Sequence, residues 1–191
     1  MKCTVLLVAF FAFVMSVGSQ GPRVESSIEN FALPDLEGKV QTLNKFKGSK
    51  GTVVVFLSAQ CPVVKAYKDR INQMASEANG KGINFIGINA NATESIEWVK
   101  SNATKSGYNF PVLIDRNNIL ADRLDVRFAP EVYFLSGDNV LLYQGAIDNE
   151  YSGRNITETY LKTAMESSLA GRSIARTTAP AFGCSIRRGM R

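Results

Sequence analysis

Apolar positions along this chain change period several times, and the changes mark its elements. Thr52 to Leu57 (TVVVFL) is a continuous apolar, largely β-branched run entered through Gly48 and Gly51, the pattern of a strand buried on both faces. From Pro62 the spacing becomes helical. Val64, Tyr67, Ile71, Met74, Ala75 and Ala78 recur at three- and four-residue steps and stop at Asn79 and Gly80, a helix with a glycine end signal. Ile83 to Ile88 predicts a second strand, and Glu94 to Ser106, entered through Thr93 and ended by Gly107, a second helix. Phe110 to Ile114 predicts a short strand and Ile119 to Leu124 a short helical stretch. Glu131 to Leu135 and Val140 to Tyr143 flank the turn-forming Ser136 to Asn139, which predicts an antiparallel hairpin. A last helix is expected over Ile156 to Ala170, with Asn155 as its N-cap, Glu158 completing a capping box and Gly171 ending it. Ahead of all these, Phe31 to Lys39 reads as an extended piece turning at Gly38. Strand and helix alternation implies right-handed crossovers and a parallel sheet core, and the hairpin makes the sheet mixed. The fold class is therefore α/β, a central mixed sheet flanked by helices.

The two ends differ from this globular middle. Lys2, the apolar run Val5 to Val17 and then Gly18, Ser19 and Gln20 form the pattern of an export signal over residues 1–20. Its apolar core is short for a membrane span and no second such stretch follows, so a secreted or periplasmic protein without a stable span is expected, with an uncleaved N-terminal anchor as the rival reading. A domain over residues 28–171 and a basic tail over 172–191 complete the organisation. Net charge is +5, from 22 Lys and Arg against 17 Asp and Glu, and every acid precedes Gly171. The tail carries Arg172, Arg176, Arg187, Arg188 and Arg191, which reads as a solvated basic terminus rather than a nucleic-acid surface.

Composition narrows the chemistry. The chain has no histidine, which excludes Ser-His and Cys-His nucleophile pairs and the usual ligands of zinc or copper; no metal or cofactor is expected. Of three cysteines, Cys3 would leave with the signal, so Cys61 and Cys184 remain in a compartment that permits disulfides. Cys61 falls between the buried strand and the first long helix. A thiol there faces unpaired backbone N–H groups and the positive end of the helix dipole, both of which favour the nucleophilic thiolate. Pro62 suits the first helical turn.

The run Val55 to Val64 (VFLSAQCPVV) resembles the active-site strand and helix start of thioredoxin-fold redox proteins, with Cys61 on their attacking cysteine. Val126 to Leu135 (VRFAPEVYFL) is similar to the family segment in which a cis proline precedes a strand, which makes Pro130 that proline and gives Ala129 backbone groups to offer an extended peptide. Cys61 to Arg70 (CPVVKAYKDR) and Gly183 to Arg188 (GCSIRR) resemble the redoxin group related to peroxiredoxins, so the likeness extends from about Phe31 to the tail. A thioredoxin-type pair of neighbouring cysteines would need cysteine at Val64. The proton-accepting acid of thioredoxins would fall at Val55 and their indole at Gln60. A peroxiredoxin needs a hydroxyl three positions before its cysteine, which Ser58 supplies, a proline where Val54 stands, and an arginine for which Arg127 is the candidate.

Three functions fit these residues. The first is a thiol-dependent oxidoreductase in which Cys61 attacks, Cys184 resolves and Pro130 shapes a peptide groove; its partners would be a disulfide-containing protein and an external thiol reductant. A thiol peroxidase acting on a peroxide is the second, and the third is a non-enzymatic binding domain with a structural Cys61–Cys184 bond closing a long loop. Glu131 is either a proton acceptor near Cys61 or a surface acid, Trp98 is expected in the core, and the Asn-x-Thr triplets at Asn91, Asn102 and Asn155 read as chance.

Overall fold

In chain order the elements are β1 (Ala32–Pro34), β2 (Val40–Thr42), α1 (Leu43–Phe46), β3 (Gly51–Leu57), α2 (Pro62–Asn79), β4 (Ile83–Asn89), α3 (Ile96–Ser106) and β5 (Val112–Ile114). They continue with α4 (Ile119–Arg123), β6 (Phe128–Ala129), β7 (Glu131–Ser136), β8 (Leu141–Gly145), α5 (Tyr160–Leu169), β9 (Thr178–Ala179) and β10 (Cys184–Ser185). The computed structural model describes residues 21–189; the expected export signal lies outside the described residues.

Six strands form the main sheet in the order β5-β4-β3-β7-β8-β9. Pairing is parallel for β3 with β4 and β4 with β5, antiparallel for β3 with β7 and β7 with β8. The thioredoxin-like α/β architecture thus has β3 at its centre, and every residue of β3 is buried. Its alternate side chains serve two cores. Val53, Val55 and Leu57 join Val64, Tyr67 and Ile71 of α2 and Leu161 and Ala164 of α5 on one face. Val54 and Phe56 join Ile86, Ile88, Leu120 and Leu124 on the other. Each such side chain is worth roughly 1.5–3 kcal/mol of burial, so β3 cannot slip by one residue without exchanging the two sets.

Two helix starts differ from expectation. Helix α3 begins at Ile96, capped by Ser95, whose side chain accepts from the Trp98 N–H, because Glu94 turns inward instead of opening the helix. Helix α5 begins at Tyr160. Asn155 does not cap it; the Asn149 side chain accepts from the Thr157 and Glu158 N–H groups and holds that approach outside the helix. Trp98 is not core, since 48% of it is exposed.

The tail is built into the fold. β9 pairs parallel with β8, an approach so close that a β-carbon on Gly145 would collide with the Ala179 carbonyl. β10 then pairs antiparallel with β6, Cys184 opposite Ala129 and Ser185 opposite Phe128. Ile186 is buried in the second core. Arg188 donates to Asp122 at 2.8 Å and to the Val126 carbonyl at 2.7 Å, so this part of the basic tail is anchored, whereas Arg172 and Arg187 are exposed.

Candidate functional site

Cys61 occupies the N-cap position of the 18-residue helix α2, with Pro62 in the first turn and no side-chain cap. Cys61 thus stands at the positive end of α2, a position that favours a thiolate when the cysteine is reduced. Cys61 itself is only 3% exposed. It is joined to Cys184 in a disulfide with Cα atoms 5.8 Å apart, bridging 123 positions of sequence.

Beside this bond lies the Ala129–Pro130 peptide, which is cis. The Cys61 Sγ sits 3.3 Å from the Ala129 carbonyl oxygen. A disulfide sulfur carries no hydrogen, so this is a van der Waals contact in the oxidised protein; a reduced thiol could donate there. Gly183 brings the tail against the same segment. Its φ is +154°, and a β-carbon on it would collide with the Ala129 carbonyl, so glycine is what lets β10 lie flat on β6.

The sequence-derived residues fall into two groups. Cys61, Cys184 and Pro130 come together, because α2, β6 and β10 meet at the carboxyl end of β3. Ser58 and Arg127 are otherwise engaged. The Ser58 hydroxyl is buried and donates to Glu94 at 2.5 Å. Arg127 pairs with Asp125 at 3.0 Å, its side chain 71% exposed. Glu131 is neither a proton acceptor for Cys61 nor a free surface acid: it accepts from the Arg127 and Phe128 N–H groups and the Tyr133 hydroxyl, bracing the turn into the cis peptide.

Glu94 was not expected at the site. It is 1% exposed and accepts from five donors: Ser58 Oγ, the Ala59 and Gln60 N–H groups, Asn89 Nδ2 and Asn91 Nδ2. Acceptance from five donors is carboxylate behaviour. The network fixes the loop that leads from β3 into Cys61. Its signal in the sequence is the cluster Asn89, Asn91 and Glu94 directly after a buried strand; parallel pairing sets Leu57 opposite Asn89 and so brings that cluster to the loop after β3. Asn91 is only 8% exposed and its amide is engaged here, which closes it to a glycan in the folded protein.

A second polar group flanks α2. Tyr67 donates to Asp148 at 2.5 Å, Arg70 binds the same carboxylate, and the Phe182 ring of the tail lies 6.4 Å from the Tyr67 ring. Burial, with Asp148 beside it, pushes the Tyr67 hydroxyl well above its ordinary range. Tyr67 is therefore a neutral strut between helix, loop and tail. A cleft of about 330 Å³ opens beside β6 and β7, lined among others by Phe128, Glu131, Tyr133 and Pro180, and neither cysteine lines it.

A bare helix N-terminus carrying a disulfide sulfur, next to a cis proline that leads into the strand beside β3, defines a thioredoxin-like redox protein. The chain belongs to the AhpC/TSA family, whose model matches residues 24–146. Among relatives, the thiol-disulfide oxidoreductase ResA of Halalkalibacterium halodurans is 27% identical over 130 residues, 67% of this chain and 72% of that protein. A hypothetical protein of Sinorhizobium meliloti 1021 has a crystal structure that superposes with TM-score 0.81 at 27% identity, covering 91% of this chain and 98% of that one. The thioredoxin domain of a thiol-disulfide oxidoreductase of Bacteroides vulgatus matches with TM-score 0.57 at 16% identity, over 65% of this chain and 89% of that one, a likeness of fold.

Proposed function

We propose that this protein is an exported thiol-disulfide oxidoreductase whose working couple is Cys61 and Cys184. The observation that carries the proposal is the disulfide itself, made between a cysteine at an uncapped helix N-terminus and a tail cysteine paired beside a cis proline. In the reduced protein the Cys61 thiolate attacks a substrate disulfide, forming a mixed disulfide and releasing one substrate thiolate. Cys184 then attacks Cys61 Sγ, forming the internal bond and releasing the second substrate thiolate. An external thiol reductant returns the two electrons. The substrate class is a disulfide-containing protein, as the names of the ResA relatives suggest for those proteins. Export is supported by the residue pattern of positions 1–20 and by the oxidised pair, which suits an oxidising compartment.

Two facts weigh against peroxidase chemistry. The hydroxyl of Ser58 is already donated to Glu94, and the guanidinium of Arg127 is turned to Asp125, so neither is directed at a peroxide bound on Cys61. The test is turnover of a protein disulfide by the reduced chain. Cys61→Ser should abolish it, and Cys184→Ser should accumulate a mixed disulfide on Cys61. Stoichiometric sulfenylation of Cys61 by low hydrogen peroxide, without disulfide exchange, would instead identify a peroxidase.

A further inference from the structure

Resting on that redox reading, we infer that the reductant attacks the oxidised protein at Cys184 and that Cys61 departs as the leaving thiolate. Three independent features favour this polarity. Access is the first: Cys61 is 3% exposed and belongs to the core, whereas Cys184 is partly exposed. Thiolate attack runs in line with the S–S bond, so an attacker on Cys61 must approach on the side away from Cys184. An attacker on Cys184 approaches on the side away from Cys61, at the more exposed of the two residues.

Leaving-group chemistry is the second. Exchange is faster when the departing thiol is the more acidic one. Cys61 has the N-terminus of α2 to stabilise its charge, and Cys184 lies in a two-residue strand without a helix. The same backbone groups that make Cys61 a good nucleophile when reduced make it a good leaving group when oxidised.

Third, the tail is held on both sides of Cys184 in the oxidised protein. Upstream, β9 is paired on β8; downstream, the Ile186 N–H donates to the Arg127 carbonyl, Arg188 holds Asp122 and the Val126 carbonyl, and the Gly189 N–H donates to Asn118. Cys61 therefore stays covered by β10 while the bond is intact, and Cys184 is presented at a fixed position. Exposed Ser185 and Arg187 flank the approach without any acid in the tail to repel an incoming thiolate.

The step balances. A reductant thiolate attacks Cys184 Sγ, the Cys61–Cys184 bond breaks, and Cys61 departs as thiolate with a new mixed disulfide on Cys184. A second reductant thiol, deprotonated, attacks the reductant sulfur of that mixed disulfide; Cys184 leaves as thiolate and takes a proton from water. The reductant is oxidised to its disulfide and the protein gains two electrons. Substrate and reductant would then use different sulfurs.

The test uses the oxidised protein with limiting glutathione, acid-quenched at early times, then blocked with N-ethylmaleimide and mapped by peptide mass spectrometry. Glutathione on Cys184 with maleimide on Cys61 should exceed the reverse labelling about tenfold or more. Glutathione mainly on Cys61 from the earliest times would overturn the inference while leaving the redox function standing. No adduct on either cysteine, with the bond intact, would overturn both. Repeating the series with neutral 2-mercaptoethanol checks that the preference follows the sulfur and not the charge of glutathione: the same preference supports the inference, and its loss overturns it.

Discussion

Replacing Glu94 by Gln probes the loop beneath Cys61 with almost no change of shape. In the native protein one carboxylate oxygen accepts from Ser58 Oγ, Gln60 N–H and Asn91 Nδ2, and the other from Ala59 N–H and Asn89 Nδ2. The variant turns one oxygen into an NH₂ group. Whichever way the amide settles, a donor then faces at least one backbone N–H, and the site is too buried for bulk water to compensate. One orphaned donor costs about 1–3 kcal/mol, and the bonds that survive lose their ionic assistance, so a total loss on the order of 3 kcal/mol is expected. For a chain of this size that lowers Tm by about 6–12 °C. Urea or thermal unfolding of the oxidised protein measures it. The same loop sets the direction of the Cys61 thiolate, so disulfide exchange by the folded variant should slow several-fold at temperatures well below its Tm. A variant within about 0.5 kcal/mol of the parent, exchanging at the parent rate, would refute the positioning role.

Gly183→Ala should displace β10 from Ala129 and shift the Cys61–Cys184 pair toward the dithiol, read as a more oxidising midpoint, because the new β-carbon meets the Ala129 carbonyl. Arg188→Ala removes an ion pair about one-third exposed and a bond to Val126, together about 1–1.5 kcal/mol, which should raise the midpoint by at most roughly 20–30 mV, the full value holding when both contacts open with the disulfide. Arg127→Ala should leave disulfide exchange within about twofold, since that guanidinium pairs with Asp125; a loss of tenfold or more would return it to the chemistry. Glu150, held to about 2 by Ser152 N–H and hydroxyl donors and by the Arg154 N–H, should titrate far below its ordinary 4.5 by NMR. Its folded value is lowered, so its contribution is full above pH 4.5 and is lost as pH falls toward 2.

Period alone made the centre of the fold legible. Thr52 to Leu57 carries the β-branched run of a strand buried on both faces, and the α2 face followed from Val64, Tyr67 and Ile71. What misled was local chemistry with a tertiary rival. Asn155 and Glu158 compose a good capping box, yet Asn149 takes the relevant N–H groups first. Glu94 looks like a first-turn helix acid, and nothing local reveals that the loop after β3 offers it two backbone donors. Trp98 lies on α3 beside the buried Val99 but is itself 48% exposed. The meeting of Cys61 with Cys184 was open in the sequence because it rests on the tail's path, which is set by close backbone approaches at Gly145 and Gly183. Ser58 and Arg127 stand at plausible positions along the chain, and nothing local reveals that Glu94 and Asp125 engage their side chains.

A redox titration of the purified native protein, with Cys61 and Cys184 quantified by thiol labelling across graded thiol buffers, bears most directly on whether this bond is working chemistry. A reversible two-electron transition with a midpoint between roughly −270 and −120 mV, the span of thioredoxin and DsbA couples, is expected. A bond that stays closed below about −300 mV would mark a structural staple and contradict the redox account.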